Sequence, residues 1–314
     1  MADKFGTVAI GVTIAHEVGH AMQARARLSG SSVLVELQAD CFSGAFFAHA
    51  VDGDVREAVS RDDLDEALLA VLSFRDTPGI AAGRRSAHGN GFDRVNAFQL
   101  GFEGGVARCA AFEREPPQPT ASAFNSIDDL ISGGNSAFEP TLEFSLRSLN
   151  ASWSVELPGF DQPRSLVAVD ANAMTAFNEA CVAEIRVAEL VSVCPSDGVR
   201  SAVAVVAVET ALRVHRDFGD FALATMVADA WSIAAQARLS VPTAGRFRNP
   251  TLGVACLTGG WMGAVAAERL GVLLSPGDLD EAVGWIIDSR DTGLPFERIS
   301  AMRAGFLGSR TACA

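Results

Sequence analysis

The sequence contains no tyrosine, only five histidines and no apolar run long enough to cross a membrane. Without tyrosine, no phenol can act as an acid, a hydrogen-bond donor or a nucleophile. The longest apolar runs, such as Gly6–Ala15 and Ser201–Val208, are shorter than the roughly 20 residues of a spanning helix. The first residues, Met1-Ala-Asp-Lys, also lack the apolar region and small-residue cleavage site of a signal peptide. We therefore expect no transmembrane helix within this sequence.

The sequence also has fewer basic than acidic residues, with 25 Lys and Arg against 38 Asp and Glu, which gives a formal net charge of −13. This balance disfavours nucleic acids and anionic membranes as partners, because their phosphates would be repelled. Apolar residues make up 49% of the chain, which is enough to build proper cores and excludes wholesale disorder. A length of 314 residues predicts about two domains.

The first motif that carries chemistry is His16-Glu-Val-Gly-His20, an HExxH sequence in a helix predicted over Phe5–Leu28. Residues four apart share a helix face, so both imidazoles can reach one metal ion, for which zinc is the best match. Glu17 lies about 100° further round the helix, where it can take a proton from a metal-bound water. Gly19 costs roughly 1 kcal/mol against Ala, which indicates close packing there. The alternative is a chance match on an amphipathic helix, although two unpartnered histidines would be costly to bury.

A second motif, Glu36-Leu-Gln-Ala-Asp40, lies in another helix predicted over Val33–Ala50. Glu36 can complete the metal shell, and Asp40, one turn later, can accept the ring N–H of a ligand histidine. The alternative is an acidic face in solvent. The neighbouring residues are mostly apolar, however, and a buried carboxylate pair needs a cation.

A polar loop over 84–91 precedes a helix predicted over Phe92–Phe112. Because tyrosine is absent, His88 in this loop is the best candidate to stabilise the oxyanion of a tetrahedral intermediate. Arg94 could support it or anchor a carboxylate. The alternative for His88 is an ordinary exposed loop histidine. Two other histidines are interpreted as helix-end or surface residues, His49 and His215.

The segments HEVGHAMQ, LQADCFSG and a His-Gly loop leading into a helix with GFEGG and a Cys together resemble the bacterial neutral zinc metallopeptidase family, over residues 5–112. The resemblance implies a zincin-like fold with His16, His20 and Glu36 as zinc ligands and Glu17 as catalytic base. Members of that family carry a segment with strands and a Cys-Gly…Cys-Pro pair before the HExxH helix. We expect either that the true start lies upstream or that this copy works without the segment.

The sequence also contains an internal repeat, because a series of segments recurs in the same order. The matches are Phe5–Ile10 with Phe218–Leu223, Gln23–Arg25 with Gln236–Arg238, Cys41–Gly44 with Cys256–Gly259, Asp63–Ala67 with Asp278–Ala282, Arg75–Asp76 with Arg290–Asp291, and Phe92–Cys109 with Phe296–Cys313. The preserved order indicates a tandem duplication. The predicted fold class is therefore α+β and mainly helical, with a zincin-like domain repeated twice.

The second copy has lost the residues that could hold a metal. His16, Glu17 and His20 align with Asp229, Ala230 and Ile233, and Glu36 and Asp40 align with Thr251 and Ala255. The loop that holds His88 has no counterpart, since Asp291 is followed almost directly by Phe296. We therefore predict one zinc ion, bound by the first copy alone, and a second copy that is a folded pseudoenzyme.

The domain boundaries follow from a polar, Pro- and Gly-rich stretch between the copies. We predict a metallopeptidase-like domain without its N-terminal strand segment over 1–115, a linker over 116–140 and the degenerate domain over 141–314. The second copy does carry a preceding segment, in which Ser165–Asp170 has strand character and Cys181 and Cys194-Pro195 resemble the family's cysteine pair.

The six cysteines follow the same duplication. Cys41 and Cys109 recur as Cys256 and Cys313, while Cys181 and Cys194 belong to the additional segment. Pairs that duplicate together are most simply disulfides, although small buried cysteines are the alternative. Disulfides predict a secreted or cell-surface protein, with a signal or membrane anchor supplied by a missing N-terminal segment.

The function predicted from these observations is that of a zinc-dependent endopeptidase acting on a peptide or protein substrate. Glu17 would deprotonate a zinc-bound water that attacks the peptide carbonyl. The second copy would serve stability, docking or regulation. The alternatives are a zinc-binding interaction protein without hydrolytic activity and a wholly structural module.

Overall fold

The structure, a computed structural model, describes residues 2–52, 60–160, 162–181, 185–187, 191–194, 202–239, 249–289 and 295–313. Over these residues it is mainly helical with one small sheet, which agrees with the predicted α+β, mainly helical class. Three residues used in the sequence comparison lie outside the described residues, namely Pro195, Arg290 and Asp291.

The helices are, in chain order, α1 (Ala2–Ala26), α2 (Ser32–Asp52), α3 (Arg61–Ser73), α4 (Gly91–Ala110), α5 (Ile127–Ser132), α6 (Phe138–Glu156), α7 (Ala171–Ala180), α8 (Val208–Asp217), α9 (Asp220–Leu239), α10 (Pro250–Ala266), α11 (Asp278–Asp288) and α12 (Pro295–Gly308). The strands are β1 (Leu166–Val169), β2 (Ile185–Val187), β3 (Val191–Cys194) and β4 (Val203–Ala207). The three helices predicted in the first copy are confirmed as α1, α2 and α4, with ends that differ by a few residues. The predicted strand over Ser165–Asp170 is β1.

The chain divides into two compact units. The first comprises Met1–Gly134 and Ser275–Ile287, and the second comprises Asn135–Leu274 and Asp288–Ala314. The linker predicted over 116–140 contains α5 and the start of α6. The predicted domain ranges themselves remain a prediction.

In the first unit, α1 crosses α2 at Gly19. A Cβ atom at Gly19 would meet the backbone of Ala39 at 3.0 Å, so a larger residue would separate the two helices. The close packing predicted at this glycine is therefore confirmed. The crossing brings the HExxH motif of α1 beside the turn of α2 that carries Glu36 and Asp40.

The closest helix contact in the first unit joins α2 and α4. A Cβ atom at Gly44 would collide with the carbonyl of Phe98, and one at Gly101 would collide with the carbonyl of Cys41. This reciprocal arrangement needs glycine on both helices, because only glycine permits backbones to approach so closely. The disulfide Cys41–Cys109 joins the same two helices. Both features fix α4 against the helix that carries Glu36.

The second unit contains a four-stranded sheet in the order β1-β4-β3-β2. The strand β1 pairs with β4 in parallel, and the other pairs are antiparallel. The disulfide Cys181–Cys194 links the end of α7 to β3. The helices α6 and α8 and the strands β2 and β3 contact α9, which is therefore surrounded on several sides.

The helices α10 and α12 form the closest helix contact of the second unit. A Cβ atom at Gly259 would collide with the carbonyl of Met302, and one at Gly305 would collide with the carbonyl of Cys256. The disulfide Cys256–Cys313 ties α10 to the end of the chain. All three cysteine pairs predicted from the sequence thus form disulfides.

The helices α1 and α9 differ in the exposure of one apolar ridge. The exposed fractions on α1 are 42% for Ile10, 58% for Ile14, 52% for Val18 and 37% for Met22. On α9, Leu223, Val227, Trp231 and Ala235 are each 0% exposed. Among the described residues, none of the helices is both long and apolar enough to cross a membrane.

Candidate metal centre

Three side chains of the first unit converge where α1 crosses α2. One ligand atom from each of His16, His20 and Glu36 lies within 4.8 Å of the others. The two Nε2 atoms of the histidines are 3.1 Å apart. The Glu36 carboxylate oxygens lie 3.3 Å from His16 Nε2 and 3.5 Å from His20 Nε2. The structure therefore brings together the three side chains predicted as metal ligands.

The tautomer of His16 follows from its contact with Asp40. The Nδ1 atom of His16 is 2.8 Å from Asp40 Oδ1, and an ionised carboxylate can only accept a hydrogen bond. The proton of a neutral His16 ring therefore lies on Nδ1, and the lone pair of Nε2 faces His20 and Glu36. Asp40 thus lies where it was predicted to lie, with its carboxylate orienting the ring of His16.

The tautomer of His20 follows from Gln23. The amide nitrogen of Gln23 donates to the carbonyl of Val35 at 2.6 Å and to Gln38 Oε1 at 3.0 Å. Its oxygen therefore faces His20 Nδ1, 2.9 Å away, and accepts the proton of that atom. Gln38 in turn donates to the carbonyl of Cys109 at 2.9 Å, which connects this network to the disulfide.

This donor set fits a zinc ion. In two neutral imidazoles whose Nδ1–H groups are bound by Asp40 and Gln23, the Nε2 lone pairs point at one another and at the Glu36 carboxylate. This arrangement of electron pairs requires a cation between them. Two nitrogens each about 2.05 Å from a tetrahedral zinc ion are about 3.3 Å apart, close to the separation of the two Nε2 atoms. His16, His20 and Glu36 could thus hold zinc and leave a position open.

Charge at the centre is balanced by Arg94. Its Nε atom is 2.9 Å from Asp40 Oδ2 and its Nη2 atom is 3.0 Å from Asp40 Oδ1, while Nη2 lies 3.9 Å from Glu36. Burial opposes ionisation of Glu36, but the hydrogen bond with His16 and the charge of Arg94 lower its pKa. Burial likewise lowers the pKa of His16, yet its hydrogen bonds with Asp40 and Glu36 outweigh this effect and raise the pKa to about 9 in the absence of metal.

Solvent reaches the centre from one side. The side chain of His16 is buried, whereas that of His20 is 30% exposed, and Glu17 is exposed. Glu17 follows His16 directly in the chain and lies on the solvent-exposed side of α1, where its carboxylate is open to water.

His88 lies outside this convergent group. Its Nδ1 atom is 3.0 Å from Asp76 Oδ1, and its side chain is 53% exposed. Among the other histidines, His49 is exposed at the end of α2 and His215 lies 2.8 Å from the carbonyl of Ser136 in the second unit.

The sequence did not indicate Gln23 as the partner of His20 or Asp76 as the partner of His88. Gln23 could have been found, because it follows His20 by three residues and so shares its helix face. Asp76 precedes His88 by twelve residues in an irregular segment, where no periodic signal links the two positions.

The first part of the chain is similar to known proteins. Residues 1–112 match the family described as "Putative neutral zinc metallopeptidase". Two Escherichia coli proteins, both named "Uncharacterized protein YpfJ" and from strain K12 and serotype O6:H1, are each 32% identical to the chain over 138 aligned positions. The alignment covers 36% of this chain and 47% of each relative. The chain thus spans about half the length of these curated relatives. No solved structure matches it significantly.

Proposed function

We propose that the first unit is a zinc-dependent peptidase that hydrolyses peptide bonds with Glu17 as general base. The observation that carries this proposal is the convergence of His16 Nε2, His20 Nε2 and the Glu36 carboxylate within 4.8 Å. The match of residues 1–112 to a zinc metallopeptidase family supports the same reaction class.

Several residues of the chain have separate roles in this reaction. Zinc, when bound, would supply a Lewis acid that polarises the peptide carbonyl and increases the acidity of water. Glu17 accepts a proton from the attacking water at its carboxylate and returns it to the leaving amine. Asp40 and Gln23 hold the two Nδ1–H groups, so that each histidine offers Nε2 as ligand. His88 is the candidate to stabilise the oxyanion.

The test combines zinc content with peptide hydrolysis in the wild type, Glu17→Gln and the control Glu143→Gln, whose side chain is exposed on α6. We expect one zinc per chain in all three proteins. We expect the Glu17→Gln variant to lose activity by a factor of at least about 10², since general-base catalysis contributes roughly 10²–10⁴-fold. The Glu143→Gln variant should retain full activity.

Other outcomes would favour the alternatives. One zinc per chain with equal background rates in all three proteins would leave a zinc-binding interaction protein. A chain that binds no zinc would leave a structural module, because both other functions require the metal.

The second unit is, in this proposal, a degenerate copy of the first that serves stability or docking. Matching internal contacts support the duplication. The glycine pair Gly44 and Gly101 of α2 and α4 corresponds in the repeat alignment to Gly259 and Gly305 of α10 and α12, and each glycine meets the same kind of backbone carbonyl. The disulfides Cys41–Cys109 and Cys256–Cys313 also correspond. One element departs from this pattern, since α11 aligns with α3 but groups with the first unit.

The buried arginines also support a degenerate second copy. Arg298 aligns with Arg94, and its Nη2 atom lies 3.5 Å from Asp229 Oδ2. Asp229 aligns with the ligand His16. The second copy has therefore kept the arginine while its acidic partner moved from α2, at Asp40, to α9. A buried carboxylate at the position aligned with His16 thus faces Arg298, in place of the carboxylate of Asp40 that faces Arg94 in the first copy.

We further propose that the protein works outside the cytoplasm. Three disulfides are typical of secreted proteins and of the oxidising compartments through which they pass. The substrate in this proposal is a peptide or protein, and the net charge of −13 disfavours nucleic acid.

A further inference from the structure

The carboxylate of Asp76 holds the loop between α3 and α4 by hydrogen bonds. Oδ2 accepts the backbone N–H of His88 at 2.6 Å and that of Gly89 at 3.0 Å, while Oδ1 accepts from the ring of His88 at 3.0 Å. The backbone N–H of Asp76 donates back to the carbonyl of Gly89 at 2.9 Å. Four hydrogen bonds therefore fix both the backbone and the ring of His88.

The packing of Gly89 places this loop beside the ligand turn of α2. A Cβ atom at Gly89 would touch Val33 and Leu37, the residues that flank Glu36 on its helix, and also Arg94. Gly89 has a φ of +100°, a conformation that glycine adopts without strain. His88 thus directly precedes Gly89, whose backbone lies against the turn of α2 that carries Glu36.

Arg94 connects the same loop to the metal centre from the other side. Its Nη1 atom donates to the carbonyl of Phe74 at 3.0 Å, two residues before Asp76, while Nη2 contacts Asp40 and Glu36. Asp76 and His88 therefore lie near the centre without belonging to its ligand set.

The carboxylate of Asp76 determines which ring atom of His88 is available. Because Oδ1 can only accept, His88 Nδ1 carries a proton, and Nε2 is the atom left for a substrate. Burial opposes ionisation of Asp76, but the hydrogen bonds with His88 and Gly89 lower its pKa. When the ring also carries a proton on Nε2, Nδ1–H stays on Asp76 and Nε2–H can donate to an oxyanion.

We propose that Asp76 is a positioning residue for hydrolysis, which holds His88 by Nδ1 and presents Nε2 to the carbonyl oxygen of the substrate. The inference rests on the proposed peptidase function. In this proposal Asp76 contacts neither substrate nor metal. It therefore affects hydrolysis only by holding His88.

The test uses the full zinc-loaded chain and the variant Asp76→Asn. The asparagine oxygen can still accept the two backbone N–H groups, but the charge beside the ring is lost. We expect kcat to fall roughly 10- to 100-fold, with KM changed by less than about twofold and zinc content unchanged. Asp170→Asn is the matched control, because Asp170 also accepts a backbone N–H, from Ala173 at 2.8 Å, but in the second unit.

A double-mutant cycle decides whether Asp76 acts through His88. In a His88→Gln background, Asp76→Asn should have no further effect on kcat, since the ring that it positions is gone. An equal fall in kcat with and without His88, or an unchanged kcat in Asp76→Asn, would overturn the proposal.

A second measurement separates this inference from the proposed function. If the wild type binds zinc but hydrolyses no peptide, the peptidase function fails, and ¹⁵N chemical shifts of the His88 ring in the metal-free chain test the positioning. We expect a protonated Nδ1 in the wild type and a changed ring state in Asp76→Asn. A ring state identical in both proteins would show that Asp76 does not position His88.

Discussion

Arg94 and Asp40 form a buried, two-point ion pair, with Nε 2.9 Å from Oδ2 and Nη2 3.0 Å from Oδ1. Both side chains are almost wholly removed from solvent, with 2% and 1% exposed. The same Oδ1 atom of Asp40 contacts His16 Nδ1 at 2.8 Å. One carboxylate thus balances a buried guanidinium and also orients a candidate zinc ligand, so its removal should affect both stability and metal binding.

The variant Asp40→Asn tests this double role. Zinc affinity should fall roughly 10- to 100-fold, because residues that orient metal ligands typically contribute that much. The free energy of unfolding of the metal-free chain should fall by about 3–5 kcal/mol, since Arg94 would remain buried without its closest counter-charge. Competition titration with a chelator and urea unfolding give the two values. Asp217→Asn, at a fully exposed ion pair with Arg216, is the control and should change neither. A loss of stability with unchanged zinc affinity would contradict the orienting role.

The pKa of His16 predicts how zinc binding depends on pH. Hydrogen bonds raise that pKa from 6.5 to about 9 against the effect of burial, so the imidazolium stabilises the metal-free fold. This contribution is complete below about pH 6.5 and is lost as the pH rises through about 9. Zinc must displace the proton, so its affinity should rise about tenfold per pH unit between pH 7 and 8. Calorimetry in two buffers with different ionisation enthalpies should show about one proton released per zinc at pH 7. An affinity that is constant over this range would exclude a protonated His16.

The three disulfides should contribute unequally to stability. The bond Cys41–Cys109 spans 68 residues and Cys181–Cys194 spans 13. The chain-entropy relation assigns about 4 kcal/mol to the longer loop and about 3 kcal/mol to the shorter one. Replacing both cysteines of a pair by serine and measuring urea unfolding gives each value. Cys41–Cys109 should also affect zinc retention, because it joins α2 to α4, whereas the Cys181–Cys194 variant should bind zinc as the wild type does. Equal zinc loss in both variants would indicate general unfolding.

The predicted parts of the site are those that follow helix periodicity. His16 and His20 share a face because they are four residues apart, and Glu36 and Asp40 do so on α2. Gly19 indicated close packing, and the structure shows that its neighbour is Ala39 at the crossing of α1 with α2. Two disulfides could be predicted because a duplication pairs their cysteines without any knowledge of distance, and the third because Cys181 and Cys194 are the two cysteines of the additional segment.

The unpredicted parts depend on packing between distant segments. Asp76 contacts His88 within an irregular loop, so the spacing of the two residues in the sequence does not predict the contact. Arg94 was predicted to anchor a carboxylate or support His88, but its bidentate pair with Asp40 requires the α2–α4 contact made by Gly44 and Gly101. The grouping of α11 with the first unit likewise has no local signal in the sequence.

Substitutions at aligned positions of α1 and α9 should have different costs. The repeat alignment pairs Ile14 with Val227, yet Ile14 is 58% exposed and Val227 is 0% exposed. Ile14→Ala should change the free energy of unfolding by less than about 1 kcal/mol, because little apolar surface leaves a packed environment. Val227→Ala should cost about 2–3 kcal/mol, because it removes buried methyl groups and leaves a cavity. Urea unfolding, monitored for each variant in the oxidised chain, measures both costs. Equal costs at the two positions would mean that the exposed ridge of α1 is covered in solution.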